Sequence, residues 1–196
     1  MDLIHRRAIE ALAPDISADR RLSLLTAWGR RLAELGVSPA ASGNLSCRSA
    51  AGFVITATGV PLGAIAPEHW VEVTAVEPMH GGGLRVDSRG MFEPSRDSAV
   101  HAATYRRVPR ASCVFHLHPD YLEELVDRLG VPATAAYYRA GTVESVREIE
   151  RFLDATPGVG YFVLVEHGIV CTGPTIDAAG TRVEKMHRAI LRHGRS

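Results

Sequence analysis

The 196-residue chain is 46% hydrophobic and 22% charged, a globular balance that can bury a sizeable core in one domain, taken as residues 1–196, without disulfide or metal staples. Lys+Arg and Asp+Glu are both 22, so the net charge is zero with histidine neutral; this removes the electrostatic case for a nucleic-acid partner and leaves a small, locally charged ligand. Cys47, Cys113 and Cys171 are odd in number, far apart and form no CxxC pair, Met1 to Arg7 lacks the apolar core of a signal peptide, and no apolar run approaches ~18 residues, so the expectation is a cytoplasmic protein with no disulfide framework, thiolate zinc site or membrane contact.

Ser17 to Leu35 reads as an amphipathic helix, with Leu22, Leu25, Trp28, Leu32 and Leu35 at helical spacing, Ser17 as N-cap and Gly36 as the stop. Pro39 to Gly43 is a small-residue turn before a short strand around Leu45 to Arg48. Phe53 to Thr56 is a strand ending in the loop Ala57 to Pro61, and Gly81 to Phe92 reads as hairpins and loops. Pro94-Ser95 opens a helix to about Arg107, which Pro109 stops. Ser112 to His118 is a strand, Tyr121 to Leu129 and Val143 to Leu153 are helices, and Tyr161 to Val165 is a strand. Thr175 caps a last helix that presents Ile176, Ala179, Val183, Met186 and Ile190 on one face. Helices and strands mix without a strict βαβα rhythm, which favours α+β or a mixed sheet.

The chemistry gathers around histidines. His116 and His118 lie two apart on one strand, so their imidazoles project from the same face as half of a site for Zn²⁺ or a similar ion. His167 follows an apolar strand and precedes Gly168, where a backbone can turn sharply. Each alone reads as an ordinary polar or core histidine; three at strand ends favour a divalent metal. Asp97, in the first turn of a helix, reads by itself as a helix cap, and His101, one turn on, as a packed histidine behind it. Ser42-Gly43-Asn44, Thr58-Gly59 and the helix start at Ser95 are three places where an anion could sit.

Taken in order, Ala41 to Ser46, Ile55 to Pro61, Pro94 to Asp97 with His101, Phe115 to Pro119 and Glu166 to Ile169 resemble the SGNLS, ITPSGxP, PSSExxxH, VHTHS and NHG motifs of the class II aldolase/adducin family, over roughly residues 20 to 190. The resemblance implies a three-layer α/β/α fold around a mostly antiparallel sheet, and a homotetramer with sites at subunit interfaces. It implies His116, His118 and His167 as metal ligands and Asp97 at the acid/base carboxylate. Asn44, Thr58, Gly59 and Ser95 then hold substrate phosphate. The metal, zinc by default, with Mn²⁺, Co²⁺ or Fe²⁺ as alternatives, chelates the oxygens of a ketose or related acid and stabilises an enediolate.

The chain departs from the pattern in four places. Asp97 stands where the fuculose-phosphate aldolases carry Glu and the ribulose-phosphate 4-epimerases carry Asp. Ala41 replaces a frequent Thr. Arg96 replaces a Ser and offers a bidentate contact to phosphate or carboxylate. No tyrosine follows Tyr161, whereas the aldolases use one near the C-terminus; Tyr137 or Tyr138 is the counterpart of their other tyrosine. The first expectation is a metal-dependent lyase of the aldolase type acting on a small sugar phosphate or hydroxy acid. The alternatives are 4-epimerisation, dehydration or decarboxylation at the same site, and a non-catalytic adducin-like interaction domain.

Overall fold

A computed structural model of the chain describes residues 3–8, 19–80 and 82–193. Among them eight strands build one sheet: β1 (Ile4–Ala8), β2 (Asn44–Arg48), β3 (Phe53–Thr56), β4 (Trp70–Pro78), β5 (Leu84–Arg89), β6 (Cys113–Leu117), β7 (Tyr161–Leu164) and β8 (Gly168–Gly173). The order across the sheet is β1-β5-β4-β3-β2-β6-β8-β7. Only β1 with β5 runs parallel; every other neighbouring pair is antiparallel. The five α-helices are α1 (Arg20–Glu34), α2 (Ser98–Arg107), α3 (Leu122–Leu129), α4 (Val143–Ala155) and α5 (Ile176–His193).

Alternation along the strands builds two cores. On one face Leu45, Cys47, Phe115, Leu117 and Ile169 pack with Leu25 and Leu32 of α1, Leu125 of α3 and Val183 of α5. On the other, Ile55, Val114, Phe162 and Val170 pack with Val100 and Ala103 of α2 and Ile149 and Leu153 of α4. The result is the expected α/β/α sandwich with a mostly antiparallel sheet. All three cysteines are free and buried. No described helix is long and apolar enough to cross a membrane.

Several boundaries differ from the sequence reading. Helix α1 starts at Arg20, because Asp19 caps it by accepting from the Arg21 amide at 2.8 Å; Ser17 lies outside the described residues. Its end is as expected: Gly36 takes φ 69°. Helix α2 starts at Ser98 rather than Ser95, after a turn in which the Ser98 amide bonds the Ser95 carbonyl at 3.0 Å. Strands β1, β4 and β8 were not expected. β8 is buried along its whole length, so it shows none of the polar alternation that marks a half-exposed strand.

Candidate metal centre

His116 shares its side of β6 with Val114, so its ring lies under the sheet face that α2 covers, at 0% exposure. Its Nδ1 stands 2.8 Å from the Ile169 carbonyl oxygen. A carbonyl only accepts, so Nδ1 donates there and Nε2 is left with a bare lone pair. That Nε2 is 2.8 Å from Nε2 of His118, just past the strand end. The three ring centroids of His116, His118 and His167 are 4.6, 4.8 and 5.1 Å apart. Asp97 completes the cluster, with Oδ2 3.7 Å from His116 Nε2 and Oδ1 3.7 Å from His167 Nε2.

Local backbone features place each group. His167 sits in the tight turn between β7 and β8, where Glu166, not Gly168, takes the left-handed conformation at φ 56°. Gly168 serves a different need. A Cβ there would lie 2.5 Å from the Leu117 carbonyl oxygen, 2.7 Å from the His118 ring and 3.1 Å from the His116 ring. The missing side chain lets β8 close on both histidines. Thr134 steadies the turn by accepting from the Val165 amide at 3.1 Å.

Asp97 occupies the N-cap position of α2 but makes no side-chain cap bond. The helix-cap reading is therefore replaced: Oδ2 accepts instead from Asn44 Nδ2 at 2.8 Å, across to β2. Burial alone would raise this carboxyl. The three histidines, His116 foremost, and the Asn44 bond outweigh it and hold Asp97 below its ordinary range. Burial drives the His116 ring well below the usual imidazole value and lowers His118 too, against the pull of Asp97. His101, fully buried, is pushed down to about 3 and stays neutral.

The donor set fits a divalent cation. Each of the four residues offers one ligand atom, all within 4.8 Å of one another. Ligands about 2.0–2.1 Å from a shared tetrahedral ion stand roughly 3.3 Å apart, and the two 3.7 Å carboxylate–imidazole separations are close to that. The His116 Nδ1 bond to a carbonyl is the outer partner that orients a metal-binding imidazole.

The sequence-derived anion positions separate into two groups. Ala57 bridges to Pro94, and the Ser95 amide bonds the Thr56 carbonyl at 3.1 Å, so Thr58-Gly59 and Ser95 are neighbours beside Asp97. Thr58 is exposed and Gly59 takes φ 73°, whereas Ser95 is buried and accepts from the Asp97 amide at 3.2 Å. Arg96 is exposed. Asn44 lies with Asp97 and His101: its amide oxygen is 2.6 Å from His101 Nε2. Tyr137, exposed, stands edge-on to His167 with centroids 6.5 Å apart. Ser46 and Tyr105, which the sequence reading missed, join the same buried group through His101.

Comparison with known proteins identifies the family and its fold. The profile described as "Class II Aldolase and Adducin N-terminal domain" matches residues 23–191. The chain is 30% identical over 183 residues to a 3-oxo-tetronate 4-phosphate decarboxylase of Haemophilus influenzae, covering 83% of this chain and 81% of that protein. It is 33% identical over 150 residues to a methylthioribulose-1-phosphate dehydratase of Acidiphilium cryptum, covering 76% of this chain and 62% of that one. The fold superposes on the crystal structure of L-fuculose-1-phosphate aldolase from Thermus thermophilus with a TM-score of 0.68, at 25% identity over 89% of this chain and 95% of the other.

Proposed function

The chain belongs to the class II aldolase and adducin family, and from that premise we propose that it is a divalent-metal-dependent lyase that decarboxylates a small phosphorylated 3-oxo sugar acid. The observation that carries the reading is the convergence of three imidazoles and one carboxylate at the end of β6, in a chain similar over most of its length to a decarboxylase of such an acid. His116, His118 and His167 would hold the cation, with zinc the default for three imidazoles. Bound there, it supplies Lewis acidity to a carbonyl oxygen.

The chain's own residues do the rest. Loss of CO₂ from a 3-oxo acid leaves an electron pair on carbon that a proton must finally meet, so the site needs a group able to hold a proton. Asp97 is that group. Its Oδ2 is tied to Asn44, which leaves Oδ1, on the His167 side, as the oxygen that meets substrate. The Thr58 amide is bonded to the Glu93 carbonyl at 2.9 Å, so the Thr58 hydroxyl and the Gly59 amide, with the Ser95 hydroxyl, hold the phosphate, and exposed Arg96 reaches its outer oxygens. The reading takes residues 1–196 as one domain of a cytoplasmic homotetramer, which light scattering checks for the assembly.

The test is incubation of the zinc-loaded protein with a phosphorylated 3-oxo sugar acid, following CO₂ and the ketose phosphate. Equimolar release of both is expected. Two aldehyde or ketone fragments without CO₂ would instead establish aldol cleavage. Dehydration of a ketose phosphate is the second reading, favoured by the dehydratase likeness; loss of water without CO₂ would establish it.

A further inference from the structure

Helix α2 and strand β2 face each other with an unusual match. Along α2, Asp97, His101 and Tyr105 are spaced by four, one helical stripe with a rise of about 6 Å per step. Along β2, Asn44, Ser46 and Arg48 are spaced by two, one strand face with a rise of about 6.7 Å per step. The two rows meet rung by rung. Asn44 bonds Asp97 and His101, Ser46 bonds His101 and Tyr105, and the Arg48 guanidinium lies 4.5 Å from the Tyr105 ring centroid and donates to the Tyr105 carbonyl at 2.8 Å. Asn44, Ser46, Asp97, His101 and Tyr105 are all buried, and the remaining residues of β2, Leu45 and Cys47, point into the apolar core behind.

The direction of every bond follows from one end. The Asn44 amide nitrogen can only donate, and it donates to Asp97 Oδ2 at 2.8 Å. The amide is thereby oriented, and its oxygen faces His101. That oxygen only accepts, so the His101 proton is on Nε2, 2.6 Å away. Nδ1 of a neutral ring is then bare and accepts from Ser46 Oγ at 2.6 Å. Ser46, its own proton committed, accepts from the Tyr105 hydroxyl at 2.8 Å. Four hydrogen bonds point one way, from Tyr105 to Asp97, each strengthening the next. The carboxamide in the chain does not take up or release a proton at ordinary pH. The chain therefore orients charge and does not conduct a proton.

We propose that Tyr105, Ser46, His101 and Asn44 form a one-way hydrogen-bond chain that holds the Asp97 carboxylate with Oδ1 turned to the three histidines, and that His101 is the positioning residue on which the chain turns. The proposal rests on the reading of Asp97 as the working carboxylate of the centre. No substrate contact is asked of His101; its task is to fix which way the Asn44 amide points. Without it the amide can flip, presenting its oxygen to the carboxylate, and like partial charges then drive Asp97 away.

The experiment uses the full chain loaded with Co²⁺, whose visible absorption reports on the ligands around it. Asp97→Ala, His101→Phe, His101→Gln and Ser46→Ala are compared with wild type for metal content, thermal midpoint and Co²⁺ spectrum. His101→Phe keeps the bulk of the ring and removes both bonds. His101→Gln places an amide N–H near the former Nε2 and restores the donor to Asn44. Expected are about one ion per chain in all five proteins and a band in His101→Phe displaced in the same sense as in Asp97→Ala. A smaller displacement is expected in Ser46→Ala and a near wild-type band in His101→Gln.

With the 3-oxo acid as substrate, kcat of His101→Phe falls about ten- to hundredfold with KM little changed, and His101→Gln recovers most of it. A wild-type band in His101→Phe, beside a displaced one in Asp97→Ala, overturns the chain. An unaltered band in Asp97→Ala overturns its premise and the proposal with it. Absence of CO₂ release, with the spectral order intact, overturns the proposed reaction and leaves the chain standing. If His101→Phe fails to fold, Ser46→Ala decides: a band and midpoint equal to wild type overturn the proposal.

Discussion

The two faces of β2 are a few ångströms apart and obey opposite rules. Leu45 and Cys47 enter a core of leucines and aromatic rings, while Asn44 and Ser46 enter an equally dry space filled with hydrogen bonds, with half-buried Arg48 at its edge. The apolar face gains from contact area and tolerates substitutions of similar volume. The polar face gains little net stability, because each of its bonds replaces one to water. Its members are constrained by direction: every donor must find its acceptor, or a buried group is left unpaired. Stability is concentrated on one side of the strand and specification of the site on the other.

The largest effect that tests this division is His116→Ala. Metal content should fall from about one ion per chain to none, while circular dichroism stays that of the folded protein; unfolding would mean that the two faces are not separable. Asp97→Asn comes next, with turnover reduced by about 10²–10⁴-fold if the carboxylate moves a proton and the metal retained. Wild-type turnover would remove Asp97 from the chemistry. On the apolar face, Leu45→Ala should cost about 2–5 kcal/mol in denaturant unfolding, with metal stoichiometry unchanged in the folded fraction. Loss of metal would show that the core also sets the site.

A smaller effect is a slope with pH. His101 is held neutral by burial, its value depressed from 6.5 to about 3. The unfolded chain takes up this proton first as pH falls. The stability associated with a neutral His101 is therefore complete above about 6.5 and is lost progressively towards 3, at up to ~1.4 kcal/mol per pH unit. His101→Gln should flatten the unfolding free energy against pH in that window by one such slope, and an unchanged slope would mean that the ring is charged in the folded state. The smallest effect is Arg96→Ser. This side chain is exposed, so stability should change by no more than about 0.5 kcal/mol, while KM for a phosphorylated substrate rises and kcat holds. An unchanged KM would leave Arg96 as surface.

Much of this was legible in the sequence, and for definite reasons. His116 and His118 share a face because strands have a period of two, and helices α1, α4 and α5 showed because each keeps one apolar stripe. Strand β8 was hidden because burial on both sides erases alternation. A glycine after an apolar strand signals a turn, and only the packed structure reveals that the space for the Gly168 Cβ is filled by Leu117 and two imidazoles. Asp97 looked like a cap because capping is decided locally, while its partner Asn44 is 53 residues away. The polar row 44, 46, 48 and the stripe 97, 101, 105 were both visible as spacings. What the sequence lacked was the knowledge that they face each other.

The same separation in sequence bears on how the chain comes to be folded. Asn44, Asp97, His116 and His167 lie on four segments spread along the chain, brought together through the pairing of β2 with β6 and of β6 with β8. Closing loops of that length is entropically costly and slow relative to helix formation. The complete set of four groups exists only once both pairings have formed. A cation that binds the finished scaffold adds stability in proportion to the logarithm of its free concentration. Occupancy of the proposed centre would then follow the supply of free metal around the folded chain.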